Sequence, residues 1–126
     1  MIDYEKDIFN LVAKKLHDTF DIYVIGAEIS DSPPKFPAVS FVQTNNANKT
    51  NFSTFNSFEN VVQEEYKAEV YSNLQTGKEA QTKEITKVIS DVMQTLGYER
   101  TFCEMVPNTD STICRRMSRY RKNNVI

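Results

Sequence analysis

The apolar residues of the opening segment recur at helical spacing. Ile2, Ile8, Phe9, Leu11, Val12, Leu16 and Phe20 form one broad stripe when wound at about 3.6 residues per turn, with Asp3, Lys6, Asp7, Lys14 and Lys15 between them. The pattern predicts a helix over about residues 3–18. His17 falls near its C-terminal end, where an imidazole complements the helix dipole. The period then changes. Ile22 to Ile29 is rich in β-branched residues and predicts a strand. Pro33, Pro34 and Pro37 offer no backbone N–H, so residues 31–37 predict a loop, and Ala38 to Gln43 predicts a second, short strand. Residues 44–58 are rich in Asn, Thr and Ser and predict a long, mobile connection. Phe52, Phe55 and Phe58 recur at every third position inside it. Either these rings pack back on the body or they are held for a partner.

From Glu59 to Asn73 the chain alternates. Val62, Glu64, Tyr66, Ala68 and Val70 share one parity and are mostly apolar; Gln63, Glu65, Lys67, Glu69 and Tyr71 share the other and are mostly polar. This predicts a half-buried strand, the longest and most central one. A turn at 73–77 follows, with Thr76 as helix N-cap and Glu79 completing a capping box. The next helix runs to about Leu96, burying Ala80, Ile85, Val88, Ile89, Val92, Met93 and Leu96, and Gly97 ends it in a left-handed conformation. Tyr98 to Val106 predicts a strand closed by Pro107 and Asn108, and 108–112 a turn. From Cys114 onward alternation returns. Arg115, Met117, Arg119 and Arg121 lie on one side; Cys114, Arg116, Ser118, Tyr120 and Lys122 lie on the other. The expectation is a single α+β domain over 1–126: an antiparallel-rich sheet of four to five strands with two main helices packed on one face.

Charge divides along the same chain. The thirteen residues from Cys114 carry five Lys or Arg and no acid, whereas the rest holds ten Lys or Arg against seventeen Asp or Glu, about +5 against −7. A basic end on an acidic body points to a partner surface, either nucleic acid or an acidic patch on another copy of the protein. Arginines on phosphates with Tyr120 stacked on a base would suit nucleic acid. The acidic body would repel it, and bidentate arginine–carboxylate pairs suit protein contact, which is the favoured reading. The segment MIDYEKDIFNLVAKK lacks the basic start and apolar stretch of a secretory signal, no apolar run is long enough for a membrane span, and the expectation is a soluble intracellular product.

Candidate chemistry is sparse. Cys103 and Cys114 have no metal-site spacing and predict free thiols, and His17 is the single histidine. Gly26, Gly77 and Gly97 are isolated, so no phosphate-cradling loop is present. One enzyme-like pattern is Glu65-Tyr66-Lys67. In a metal-dependent nuclease the carboxylate, with Glu28 or Asp31 from an earlier strand, would hold Mg²⁺, and Lys67 would steady the attacking water. The plainer reading is a solvated strand face with cross-strand ion pairs.

Four places together carry a resemblance. They are the first helix leading to Ile22 to Ile25; the proline-broken segment ending Phe36-Pro37-Ala38-Val39; the strand Glu65 to Asn73 running through Gly77-Lys78 into the second helix; and Leu96-Gly97-Tyr98-Glu99-Arg100-Thr101 followed by Pro107-Asn108 and the Arg-rich stretch Ile113 to Arg121. In their order and spacing the chain resembles the tail-terminator (tail-completion) proteins of long-tailed bacteriophages and prophages, over nearly its whole length. The resemblance implies an α+β virion protein, not an enzyme, with no catalytic residue and no cofactor. It implies a ring, typically a hexamer, assembled in the host cytoplasm on the head-proximal end of the tail tube. The ring would end tube polymerisation and face the head–tail connector, with DNA passing through its lumen only transiently. A neighbouring role in head completion, as a connector component, is the alternative. The expected contacts with other subunits or the tube are Phe52, Phe55 and Phe58 in the 44–58 segment, and Arg115, Arg116, Arg119 and Arg121 on a basic edge of the sheet. Deleting 46–57 is expected to leave the subunit folded but impair attachment to tails.

Overall fold

The computed structural model describes residues 5–27, 33–48, 61–106 and 112–125. Helix α1, Glu5–Thr19, buries Ile8, Val12 and Leu16, one residue per turn, while Leu11 lies off that line and is half exposed. Strand β1 is Tyr23–Ile25; Gly26 and Ala27 of the expected strand are a bend, and residues 28–29 lie outside the described residues. Past it the Ser40 hydroxyl donates to the Ala27 carbonyl at 2.7 Å, so a side chain takes the acceptor that a ladder N–H would have used.

Strand β2, Ala38–Asn48, overturns part of the expected mobile connection, because Thr44 to Asn48 are strand. The reason is the partner. Strand β3, Val61–Ser72, is antiparallel to β2, and it pairs Asn45, Asn46, Ala47 and Asn48 with Glu65, Glu64, Gln63 and Val62. A strong β-former opposite thus overrides a polar, turn-like composition. Thr44 is the extra residue where the register shifts, and its hydroxyl donates to the Glu65 carbonyl at 3.2 Å. The remainder of the segment, with Phe52, Phe55 and Phe58, lies outside the described residues.

Helix α2, Lys78–Thr95, starts differently from expectation. Its N-cap is Gly77 at φ 84°, with no side-chain cap, so Thr76 and Glu79 do not form the capping box. The glycine carbonyl accepts the Gln81 N–H at 2.9 Å. The other end is as expected: Gly97, at φ 88°, donates to Gln94 O and Tyr98 donates to Met93 O, the paired bonds of a Schellman stop. A Cβ on Gly97 would also lie 3.3 Å from the Lys122 side chain. The buried stripe of α2 is Thr82, Ile85, Thr86, Ile89 and Met93; Ala80, expected inside, is exposed.

Strands β4, Glu99–Val106, and β5, Cys114–Val125, complete a five-stranded sheet in the order β1-β2-β3-β5-β4. Only the β1–β2 pair is parallel. β3 is central, as its alternation predicted. β5 is not an edge, because it lies between β3 and β4 and is antiparallel to both. The fold is α+β with both helices on one face. There Ile8, Val12 and Leu16 of α1 and Ile85, Ile89 and Met93 of α2 pack on Val39, Phe41, Tyr66, Ala68, Val70 and Tyr120. Each fully buried aliphatic of this kind contributes about 1.5–3 kcal/mol. On the opposite face a smaller cluster gathers Ala38, Tyr71 and Ile113, with Tyr23 and Phe36 against it. No helix of the described residues is long and apolar enough to cross a membrane.

Candidate functional site

Strict alternation in β3 and β5 sends Glu65, Lys67 and Glu69 together with Arg115, Arg119 and Arg121 to the face away from the helices. The register sets Glu65 opposite Arg121, Lys67 opposite Arg119 and Tyr71 opposite Arg115, so Arg121 has an acid directly across while Arg119 and Arg115 have theirs on the diagonal. Arg119 reaches diagonally to Glu65, Nη1 to Oε1, at 3.3 Å. Arg115 reaches Glu69 through both Nε and Nη2. Lys67 Nζ meets the other Glu69 oxygen at 3.2 Å. The Arg115 guanidinium also stands 5.8 Å from the centre of the Tyr71 ring, within cation–π range. The basic strand therefore has its first partner inside the chain, the acidic face of β3.

The ladder has a dry and a wet end. The Glu69 side chain is 3% exposed, whereas Arg119 and Glu65 are 41% and 25% exposed. Arg121 is exposed, opposite Glu65 on one side and Glu99 on the other. Beside it runs the edge strand β4, where Glu99, Arg100, Thr101, Glu104 and Met105 are exposed. Charges on an edge strand discourage indiscriminate pairing with other chains.

Arg116 is separated from the other three arginines. It points to the helix side, is 8% exposed, and its Nε donates to Thr82 Oγ1 of α2 at 3.3 Å. Lys122 shares that side. It donates to the Leu96 carbonyl at 2.7 Å, closing the C-terminal end of α2 where a cation also suits the dipole, and stands 5.5 Å from the Tyr98 ring centre.

Glu64 is the feature that sequence reasoning under-read. It sits on the apolar parity of β3, fully buried, and accepts the Tyr98 hydroxyl. Its other oxygen, Oε1, has no hydrogen-bond partner among the described residues. The Tyr98 ring meets Tyr66 edge-on at 5.5 Å, and Tyr66 stacks on Phe41 at 5.2 Å. Burial, reinforced by the bond to Glu64, holds the Tyr98 phenol far above its ordinary pKa, so it remains a donor. The signal was available: a glutamate in phase with Tyr66, Ala68 and Val70 belongs to the core side.

For nuclease chemistry the geometry brings Glu65 and Lys67 to one face, but pairs them with Arg119 and Glu69 respectively. Glu28 and Asp31 lie outside the described residues, and among the described residues no three His, Cys, Asp or Glu gather as a metal site. Cys103 and Cys114 are free thiols, Cys114 buried and Cys103 half-buried. Neither the models of known protein families nor the curated proteins contain a match to this chain.

Proposed function

We propose that this protein is a virion structural component. It is a subunit of a ring, typically a hexamer as the resemblance implies, that caps the head-proximal end of a phage tail tube, ends tube polymerisation and offers the joining surface to the head connector. One observation carries the reading beyond the resemblance: the sheet is finished differently on its two sides. Helices seal one side. The other side ends in a wet charged array, Glu65, Arg119 and Arg121, beside the exposed edge strand β4. Such an array suits a head-to-tail contact between identical subunits, because each carries both signs of charge on one face. Of the four arginines, Arg119 and Arg121 are the ones available to a neighbour, since Arg115 is committed to Glu69 and Arg116 is buried.

The test is growth of the cognate tube. Tube protein polymerised with rising amounts of this protein should give shorter tubes in proportion to the number of capped ends. Tubes of unchanged length at every ratio would refute the capping role.

A further inference from the structure

α2 packs mainly on β3 and β5 and barely reaches β4, which leaves a groove of about 590 Å³ between the helix and the outer strand. That size falls within the range of small-molecule sites. Its floor is polar. Thr86 and Ser90 follow one another a turn apart on α2, and Arg116 and Tyr120 of β5 lie beneath them. The two ends of this seam are joined. Arg116 Nε donates to Thr82 at 3.3 Å, and the Ser90 and Tyr120 hydroxyls lie 2.8 Å apart. Between them Thr86 Oγ1 is buried and has no hydrogen-bond partner among the described residues. A buried hydroxyl left so is unfavourable, and a ligand entering the groove would supply its partner. Above the floor, Lys83, Lys87 and Arg100 line the groove with Arg116, against the two acids Asp91 and Glu99. The charges are also sorted along it. Lys83 and Lys87 flank Thr86 on α2, whereas Asp91 is one turn further on, and Glu99 is at the far end of β4.

We propose that this groove is a phosphate-binding site, holding inorganic phosphate or the phosphoryl group of a small ester between Arg116, the Thr86 hydroxyl, Lys83 and Lys87. A guanidinium fork, a hydroxyl donor and two ammonium groups match a tetrahedral dianion. The site is independent of the ring contact, which lies on the other face of the sheet.

The test is an amide NMR titration of the full chain with inorganic phosphate, glycerol phosphate and succinate, at constant ionic strength set with chloride. The expected result is saturating shifts centred on Thr86, Lys87 and Arg116. The double variant K83Q/K87Q should weaken phosphate binding at least about tenfold. Both lysines are exposed, so its melting temperature should match that of the parent. Preference for the ester over the free ion, or the reverse, identifies the source of the phosphate and supports the site in either case. Shifts that fail to saturate by about 20 mM, shifts elsewhere on the surface, unaltered affinity in K83Q/K87Q, or succinate binding as tightly as phosphate would each overturn it.

Discussion

At the scale of single residues, the buried pair of Tyr98 and Glu64 has a measurable consequence. Burial also raises the Tyr120 phenol, partly offset by the Ser118 and Ser90 hydroxyls beside it. In both cases the native protein keeps a proton that the unfolded chain releases near pH 10.0. Stability is therefore complete below about pH 10 and falls as pH rises beyond it, by about 1.4 kcal/mol per pH unit for each tyrosine. Urea unfolding followed from neutral to strongly alkaline pH should show this slope, and Tyr120→Phe should lower it by one tyrosine's share. Equal slopes in the two proteins would contradict the assignment. Tyr98→Phe makes a different point, because it removes the one side-chain donor to Glu64 among the described residues and should cost about 1–3 kcal/mol already at neutral pH.

At the scale of elements, β3 and β5 form one electrostatic unit whose two rungs differ. Replacing Arg115 by Ala leaves the buried Glu69 with Lys67 as its one remaining cation among the described residues and should destabilise by about 3 kcal/mol, with little response to salt. The Arg119–Glu65 rung is half exposed, and a double-mutant cycle should return under about 1 kcal/mol, declining as salt is added. Much of this unit was legible beforehand. The alternation of β3 and β5 correctly divides their side chains between two faces, the stripe of α1 holds at Ile8, Val12 and Leu16 though not at Leu11, and the Gly97 stop is read as it stands. Three things were not legible, each for a physical reason. Thr44 to Asn48 join β2 because pairing with β3 outweighs their own weak strand preference. Thr82 and Thr86 are buried on the core side of α2, and Thr82 accepts from Arg116, a match of polar residues that an apolar stripe cannot register. The basic segment is an inner strand because β4 pairs outside it, and strand order is not written in local pattern.

At the scale of the whole molecule, the interior position of β5 changes what an assembly experiment should target. Reversing Arg115 would damage the subunit itself, so Arg121→Glu is the cleaner probe: an exposed residue whose loss should weaken ring closure while the unfolding midpoint stays within about 0.5 kcal/mol of the parent. Residues 46–48 belong to β2, so deleting 46–57 would shorten a paired strand; replacing Phe52, Phe55 and Phe58 together by Ser tests the same segment without that loss. The most direct test of the capping account is electron microscopy of the purified protein mixed with its preassembled tail tubes. The account predicts closed rings with an open lumen seated on one end of each tube. Tubes with both ends bare, and the protein dispersed in the background, would contradict it.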